Sequence, residues 1–278
     1  MILIAESGST KTDWRLINQE KTQFNTLGLN PYFVNSQQIA DELTPAFKLI
    51  KNFKITEIHF YGTGITDETK STIIKNGIEK ALGYPTKIFT YSDVIASAKA
   101  LFGKKSGIAC ILGTGSNSCF WESEKIGFQI PPLGFWLGDE GSGGHLGKQL
   151  ILDYLHREMP ENVRILFETK FGKMERHEIL TKSYQEEKPN KYFSDFSIFL
   201  FENQELSYCK NLIKNSFQQY IDKYLKKYPQ LFNSEIGFIG SIAYYYKNIL
   251  TEVCKKNNIF ISKIIEKPIE NLVQFHQE

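Results

Sequence analysis

The feature that most constrains this chain is a repeat. The segments ILIAESGSTKTDWRLI (residues 2–17) and IACILGTGSNSCFWES (residues 108–123) each show an apolar strand, a glycine turn and a second strand. They align 107 positions apart, so that Gly8 matches Gly115 and Trp14 matches Trp121. A second pair, EIHFYGTG (57–64) and EIGFIGSI (235–242), follows in the same order, 178 positions apart. The two pairs predict a duplicated domain whose second copy is roughly 70 residues longer.

Each copy is predicted to open with three strands and to continue with alternating helices and strands, which indicates an α/β sheet covered on both faces. Apolar residues at spacings of three and four predict a helical insert over about residues 143–230 of the second copy. The first copy is predicted to contain strands over 2–6, 12–18, 22–28, 57–61 and 86–91 and helices over 36–51, 67–82 and 93–102. The second is predicted to contain strands over 107–112, 117–122, 125–130, 235–239 and 258–263 and helices over 243–257 and 268–276.

The segment GKKSG, residues 103–107, is the predicted boundary between the copies. It gives an amino-terminal domain over 1–103 and a carboxyl-terminal domain over 104–278. A cleft between two such domains is the default place for a small ligand, so we expect the ligands to bind there.

Composition narrows the class of protein. The 278 residues are 41% hydrophobic, which is enough to form a core, and the formal net charge is only +2. So small a charge gives no support to nucleic acid or an anionic membrane as a partner. The four cysteines form neither a CxxC pair nor a disulfide scaffold, and the five histidines show no zinc spacing. With no signal-peptide pattern at the start, we expect a cytoplasmic protein.

The first glycine turn has the residue types that bind a nucleotide phosphate. Small residues at positions 7–10 let the backbone approach an anion closely, and their N–H and hydroxyl groups can donate to it. Glu6 and Asp13 flank the turn and could hold Mg²⁺, directly or through water. Considered alone, the segment is equally consistent with a polar β-turn.

Two further segments carry similar chemistry. The second turn, residues 113–118, repeats the small and hydroxyl residues of the first, and two such turns could hold a polyphosphate. Asp139 and Glu140 lie in a loop with five glycines that leads into a helix, and a loop so rich in glycine favours close approach to a ligand. The alternative is that this loop supplies Ser142 as a helix cap.

Asp93 stands where a predicted strand ends and a helix begins. An aspartate there is typical of an N-cap, but a carboxylate fixed at a helix start could also deprotonate a hydroxyl group. The segment GFIGSIA, residues 237–243, offers small residues on which a flat ring could lie, although a closely packed strand-to-helix turn explains it equally well.

The order of these motifs resembles the actin/hexokinase/Hsp70 superfamily and, within it, the BadF/BadG/BcrA/BcrD ATPase group, which includes N-acetylglucosamine kinases. AESGSTKTDW is similar to its first phosphate motif, ILGTGSN to its second and GFIGSIA to its adenosine motif. TYSDVIASAKALFG resembles the segment with the catalytic aspartate, and LGDEGSGG the sugar-side loop. The resemblance implies two ribonuclease H-like (actin-like ATPase) domains with a helical insert in the second.

The resemblance also implies roles for individual residues. Asp93 would be the base that takes the proton of the sugar 6-hydroxyl, and Glu6 and Asp13 would hold Mg²⁺. The residues expected to hold ATP are Gly8, Ser9, Thr10, Lys11, Thr114 and Gly115 at the phosphates and Gly240 and Ser241 at the adenosine. The residues expected to bind the sugar are Asn30, Gly64, Asn117, Asp139 and Gly143.

Two positions depart from the family's pattern. The family usually has Asp at position 6, where this chain has Glu, and the longer side chain moves the carboxylate by about one bond length, which could disturb Mg²⁺ geometry. Ser241 replaces the second glycine of the adenosine motif, which is a milder change.

We expect an ATP-dependent kinase that phosphorylates an amino sugar, and the first candidate is N-acetylglucosamine at its 6-hydroxyl. The expected cofactors are ATP and Mg²⁺, and the expected assembly is a homodimer. Glucosamine and N-acetylmuramate are alternative substrates, because the sequence does not resolve the loops that select the sugar. An ATPase that activates a partner enzyme through a cysteine-held iron–sulfur cluster is disfavoured by the cysteine spacing. A sugar sensor without turnover is a third alternative, and Glu6 is its only support.

Overall fold

The computed structural model describes residues 1–8, 10–17, 22–186 and 188–278, which divide into two compact units. The first unit contains a five-stranded sheet in the order β3-β2-β1-β4-β5. Strands β1 to β3 form an antiparallel meander, whereas β4 pairs parallel with β1 and β5 pairs parallel with β4. Its strands are β1 (Ile2–Ser7), β2 (Lys11–Leu16), β3 (Gln23–Leu27), β4 (Glu57–Gly62) and β5 (Lys87–Ser92).

The second unit repeats this arrangement with the strands in the order β10-β9-β6-β7-β8. Strand β7 is antiparallel to β6, and β9 and β10 extend the sheet in parallel on the other side. When the second order is reversed, to β8-β7-β6-β9-β10, each strand matches its counterpart in the first sheet. This match confirms the predicted duplication. The strands are β6 (Gly107–Leu112), β7 (Ser116–Glu122), β8 (Lys125–Phe128), β9 (Ile236–Ile239) and β10 (Ile261–Ile265).

Two layers of helices cover the first sheet. Helices α1 (Ser36–Phe47) and α2 (Glu68–Leu82) pack on the face that presents Leu3, Trp14 and Phe60, where the apolar core of this unit lies. Helix α1 begins at a capping box formed by Asn35 and Gln38, and it ends before the predicted limit, in a short 3₁₀ turn over Lys48–Ile50. Helix α3 (Asp93–Phe102) contacts β1, β4 and β5.

The predicted insert is helical, as expected. It consists of α5 (Gly143–His156), α6 (Glu161–Phe171), α7 (Arg176–Gln185), α8 (Pro189–Asp195), α9 (Ser197–Glu202) and α10 (Ser207–Lys223), preceded by the short α4 (Gly134–Leu137). Their apolar faces join those of β6 and β9 in one core, whose fully buried members include Phe167, Phe217 and Phe238. The helix predicted over 243–257 is divided into α11 (Ser241–Tyr245) and α12 (Lys247–Lys256).

The last helix, α13 (Ile269–Gln277), groups with the first unit, although chain order placed it in the predicted second domain. The cause is packing, since α13 lies against α3, β1 and β2 and buries Ile269 and Leu272. The two units are residues 1–105, 122–126 and 267–278, and residues 106–121 and 127–266. Within the described ranges, no helix combines the length and apolar character that crossing a membrane requires.

Candidate active site

Three parallel strands of the first sheet end at one edge. Ser7, Gly62 and Ser92, the last residues of β1, β4 and β5, lie in register across the sheet. Backbone bonding continues past the ends, because the N–H of Thr63 donates to the carbonyl of Ser7 at 3.1 Å. The carboxyl edge of a parallel sheet is where α/β folds commonly bind ligands. In this unit the edge gathers Asp93 with residues of the predicted phosphate motif.

Asp93 is the first residue of α3 rather than its N-cap, which is Ser92. The N-cap alternative is therefore wrong. The Asp93 carboxylate accepts a hydrogen bond from Thr63 Oγ1 at 2.9 Å, and backbone N–H groups of residues 93 and 94 also donate to it. Burial raises the pKa of Asp93 above its ordinary value, while these hydrogen bonds act in the opposite direction. The side chain is thus an oriented carboxylate with increased basicity.

Glu6 and Asp13 lie directly opposite each other on β1 and β2. Burial, together with the carboxylates of Asp13 and Asp93, raises the pKa of Glu6 to about 7, and the ammonium groups of Lys267 and Lys11 oppose that rise. Asp13 has its own partner, since Lys11 Nζ lies 2.8 Å from its carboxylate. A nearby cation would therefore favour the ionised form of Glu6.

The first glycine turn is anchored at both ends. The N–H of Gly8 donates to the carbonyl of Lys11 at 3.0 Å, which closes the turn, and the N–H of Gly28 donates to the carbonyl of Thr10. Below it, the hydroxyls of Ser7 and Thr12 lie 2.8 Å apart. Gly8, Thr10 and Lys11 thus lie in the predicted turn, whereas Ser9, also predicted to hold phosphate, lies outside the described residues.

Asn30 and Gly64, both predicted to bind the sugar, are in contact. A side chain at Gly64 would place its Cβ 2.3 Å from Asn30 Oδ1, and the φ of Gly64 is +86°, so only glycine fits there. Asn30 Oδ1 accepts the N–H of Tyr32 at 3.0 Å. That bond orients the amide, and among the described residues its Nδ2 has no hydrogen-bond partner.

In the second unit, the second glycine turn and the LGDEGSGG loop are hydrogen-bonded together. The N–H of Gly143 donates to the carbonyl of Gly113 at 2.8 Å, and the N–H of Gly144 donates to the carbonyl of Thr114 at 3.0 Å. Ser142 is the N-cap of α5, because its hydroxyl accepts the N–H of His145. The loop is thus both a helix start and a partner of the predicted phosphate turn.

Asp139 also connects these two segments. It adopts a φ of +62°, which is uncommon outside glycine, and its Oδ1 accepts the N–H of Ser116 at 3.1 Å. A Cβ at Gly115 would lie 2.9 Å from Asp139 Oδ2, so glycine at this turn leaves room for the carboxylate. Asn117 follows in strand β7, and its Oδ1 accepts from the N–H of Ser118 and from Gln129 Nε2.

Glu140 has a different role from its neighbour Asp139. It forms an ion pair with Lys223, and the hydroxyl of Tyr224 donates to it at 3.1 Å, so the loop is attached to α10. Burial opposes ionisation of Glu140, but Lys223, the backbone N–H of Glu140 and the Tyr224 hydroxyl together outweigh it and hold the pKa of Glu140 below its ordinary value. Glu140 is therefore a structural carboxylate.

The adenosine motif lies at the end of β9. Gly240 has a φ of +116°, and a Cβ there would lie 2.4 Å from the carbonyl oxygen of Leu112, at the end of β6. Ser241 follows as the exposed first residue of α11. The structure thus brings the GFIGSIA turn against the strand that leads into the second glycine turn, within the second unit.

Sequence reasoning did not identify two residues beside the predicted site. Thr63, which contacts Asp93, lies within the EIHFYGTG segment that revealed the duplication, but nothing in that segment pointed to a role for its hydroxyl. Lys267, whose charge acts on Glu6, lies 261 positions further along the chain. Only the packing of the carboxyl-terminal segment on the first unit brings it near.

Comparison with known proteins identifies the family. No protein-family model and no curated protein matches the sequence. Among solved structures, a candidate N-acetylglucosamine kinase from Porphyromonas gingivalis is 34% identical, covers 99% of this chain and 98% of its own, and has a TM-score of 0.93. This chain belongs to the family of that protein.

Two more distant structures extend the comparison to the fold. A candidate N-acetylglucosamine kinase from Chromobacterium violaceum is 12% identical with a TM-score of 0.75, over 99% of this chain and 98% of its own. A ROK family glucokinase from Streptomyces griseus, in complex with glucose and AMPPNP, is 13% identical with a TM-score of 0.54 over the same shares. Together with the duplicated sheets, they confirm the predicted pair of actin-like ATPase domains. The narrower BadF/BadG grouping stays a prediction.

Proposed function

We propose that this protein is an ATP-dependent kinase of an amino sugar, with N-acetylglucosamine phosphorylated at its 6-hydroxyl as the first candidate. The observation that carries the proposal is the geometry around Asp93. An oriented carboxylate with a raised pKa lies at the carboxyl edge of the sheet, in the unit that also contains the first glycine turn and the Asn30–Gly64 pair. The family of the Porphyromonas gingivalis protein supports the same activity.

In the proposed reaction, Asp93 accepts the proton of the sugar hydroxyl as its oxygen attacks the γ-phosphorus of ATP. The new oxygen–phosphorus bond forms while the bond to the β,γ-bridging oxygen breaks, so the products are the sugar phosphate and ADP. Such transfers depend chiefly on positioning and on neutralising charge. A carboxylate whose pKa is raised towards the working pH is a better general base than a fully solvated one.

The sugar would be held by the residues that the resemblance implied. Asn30 would donate its Nδ2 to the sugar, since its Oδ1 already accepts from Tyr32, and Gly64 keeps that amide in place. Asn117 would contribute its amide in the same way, since two donors already occupy its oxygen. Asp139 and the backbone near Gly143 complete the proposed set.

ATP would be held by the two glycine turns and the adenosine motif. The proposed phosphate contacts are Gly8, Ser9, Thr10, Lys11, Thr114 and Gly115, and the proposed adenosine contacts are Gly240 and Ser241. The positive φ of Gly240 and its close approach to Leu112 support a surface without a side chain at that point.

The carboxylates of the first hairpin fit a loosely held Mg²⁺. Among the described residues, no group of three or more potential ligands gathers around one point. Mg²⁺ in kinases does not need such a cage, because one or two carboxylates, several waters and the substrate phosphates complete its shell. Glu6, whose charge is poorly compensated, and Asp13 would hold it, and the ion would neutralise charge on the phosphates.

The alternative of a partner-activating ATPase with an iron–sulfur cluster receives no support from the cysteines. All four are buried free thiols, and burial raises the pKa of Cys209 to about 11 and that of Cys119 to about 12. A cluster at a subunit surface needs accessible thiolates.

The test is ADP formation with a panel of hexosamines, for the wild type and for Asp93→Asn. We expect one amino sugar to stimulate ADP release. Asp93→Asn should lower kcat by roughly 10²- to 10⁴-fold, the range for losing a general base, while sugar and ATP affinities measured by titration calorimetry stay within a few-fold. A wild type without sugar-dependent turnover contradicts the proposed function. A kcat for Asp93→Asn within threefold of wild type contradicts the role of Asp93.

A further inference from the structure

The turn after β4 contacts two parts of the proposed site through consecutive residues. Thr63 donates its hydroxyl to Asp93 Oδ2 at 2.9 Å, and Gly64 packs against the amide of Asn30. The proposed base and the proposed sugar-binding amide therefore both lie against one short piece of backbone. A shift of this turn would move both partners.

The position of Thr63 is itself well determined. Its N–H donates to the carbonyl of Ser7 at 3.1 Å, which ties the turn to the end of β1. Threonine is branched at Cβ, so its χ1 angle has few alternatives once the backbone is held. The hydroxyl consequently has a fixed direction, and the carboxylate that accepts from it is fixed in turn.

The remaining bonds to Asp93 do not orient it as well. They come from its own N–H and that of Val94, on the same first turn of α3. Because these donors belong to the helix itself, they do not fix the position of the carboxylate relative to the other elements of the site. Thr63 Oγ1 is the one donor to Asp93 from another element among the hydrogen bonds found in the described residues.

We propose that Thr63 is a positioning residue, whose hydroxyl holds the carboxylate of Asp93 in the orientation from which it accepts the proton of the sugar hydroxyl. This inference rests on the proposed function. Thr63 touches no reacting atom in this scheme and acts only through Asp93. Displacing a reacting group by about 1 Å can lower the reaction rate roughly 10²-fold. Loss of the Thr63 hydroxyl should therefore affect turnover more than binding.

The test compares Thr63→Val, which keeps the shape and removes the donor, with Thr63→Ser, which keeps the donor. We expect Thr63→Val to lower kcat roughly 10- to 100-fold with the KM values for sugar and ATP within about threefold, and Thr63→Ser to restore kcat to within about threefold of wild type. Thr63→Ala should share the loss if Thr63→Val does not fold. Thr72→Val, on the exposed face of α2, is the matched control and should leave kcat unchanged.

A kcat for Thr63→Val within threefold of wild type overturns the inference, and so does a Thr63→Ser variant as slow as Thr63→Val. Crystal structures of wild type and Thr63→Val provide a measurement that does not depend on activity. The inference expects the Asp93 carboxylate to rotate or to occupy several rotamers in the variant, and an unchanged carboxylate overturns it. A wild type without sugar kinase activity contradicts the proposed function instead, and the crystallographic comparison still decides whether Thr63 orients Asp93.

Discussion

At the scale of single residues, the two carboxylates of the first hairpin differ in whether a neighbouring cation compensates their charge. Asp13 has Lys11 at 2.8 Å, whereas Glu6 has no ion pair among the described residues and has a pKa raised to about 7. An ionised carboxylate in such a place costs free energy unless a cation accompanies it. We expect a cation to compensate this carboxylate if the hairpin binds phosphate as proposed.

The Glu6 carboxylate is accordingly expected to support Mg²⁺-dependent turnover. Glu6→Ala and Glu6→Gln should each lower kcat roughly tenfold and raise the Mg²⁺ concentration for half-maximal rate, because both remove the charge that attracts the hydrated ion. Glu6→Asp should be as fast as wild type or faster. Steady-state rates across a Mg²⁺ titration provide the measurement.

The control for this series is Glu79→Gln, an exposed change on α2 that should leave the Mg²⁺ dependence unaltered. If Glu6→Ala, Glu6→Gln and Glu6→Asp all behave as wild type, Glu6 is an incidental strand-end residue. The phosphates would then depend on the backbone of the turn and on Asp13.

At the scale of elements, the insert is held together by close contact between helices α5 and α8. A Cβ at Gly147 would lie 1.7 Å from the carbonyl oxygen of Phe193, so α5 approaches the backbone of α8 with no room for a methyl group. Gly143, at the start of the same helix, is similarly close to the Ser194 hydroxyl, at 2.3 Å. The loop with Asp139 therefore leads into a helix whose place is set by glycine contacts.

Gly147→Ala is expected to destabilise the protein. Alanine favours a helix by up to about 1 kcal/mol over glycine, but overpacking typically costs about 1–3 kcal/mol and here forces backbone apart, so the net effect should be unfavourable. Chemical denaturation gives the free energy of unfolding. Gly113→Ala is the matched control, because its added methyl group meets nothing within 4 Å. Equal stability of Gly147→Ala and wild type would show that α5 and α8 separate easily.

At the scale of the whole molecule, the chain returns to its first unit through α13. There His276 packs on His59 with ring centroids 3.8 Å apart, and its Nε2 lies 2.7 Å from the hydroxyl of Tyr61. Lys99 Nζ donates to the same hydroxyl at 3.2 Å. Burial, then the neighbouring His59 and Lys99, lower the pKa of His276 to about 3, and burial lowers that of His59.

The contribution of His276 to stability should therefore fall with acidification, whereas Glu6, whose pKa is raised to about 7, acts in the opposite direction. The unfolded chain takes up the proton of His276 near pH 6.5, whereas the folded protein resists it until about pH 3, so stability is lost as pH decreases through that interval. Because the ring is partly solvated, we expect a loss on the order of 1–2 kcal/mol rather than the full value of the shift. Glu57, which contacts His59, raises the pKa of His59 and so opposes the effect of burial on that ring.

Thermal unfolding between pH 7 and pH 4 measures this loss. His276→Gln keeps a polar group near Tyr61 and cannot gain a charge, so on acidification its Tm should change more favourably than that of the wild type, by several degrees. His177→Gln, on an exposed face of α7, is the matched control and should follow the wild type. Identical slopes for wild type and His276→Gln would contradict the role assigned to the histidine pair.

Much of the fold could be predicted because its signals are local. Alternating strands and helices, the duplicated glycine turns and the helical spacing of the insert are each visible within a few consecutive residues. The two identical strand orders follow from that duplication. The glycine at 240 and the carboxylate at 93 were likewise expected at strand ends, since turns are marked by the residues within them.

The tertiary structure alone decided which distant groups meet. Thr63 with Asp93, Asp139 with Ser116, Glu140 with Lys223 and His276 with His59 are separated by 23 to 217 positions. No periodicity relates such residues, because their contact depends on how whole helices and sheets pack. The sequence by itself therefore determined the two α/β halves and the places of the turns. Packing determined that α13 joins the first unit, that Glu140 is structural, and that a threonine hydroxyl orients Asp93.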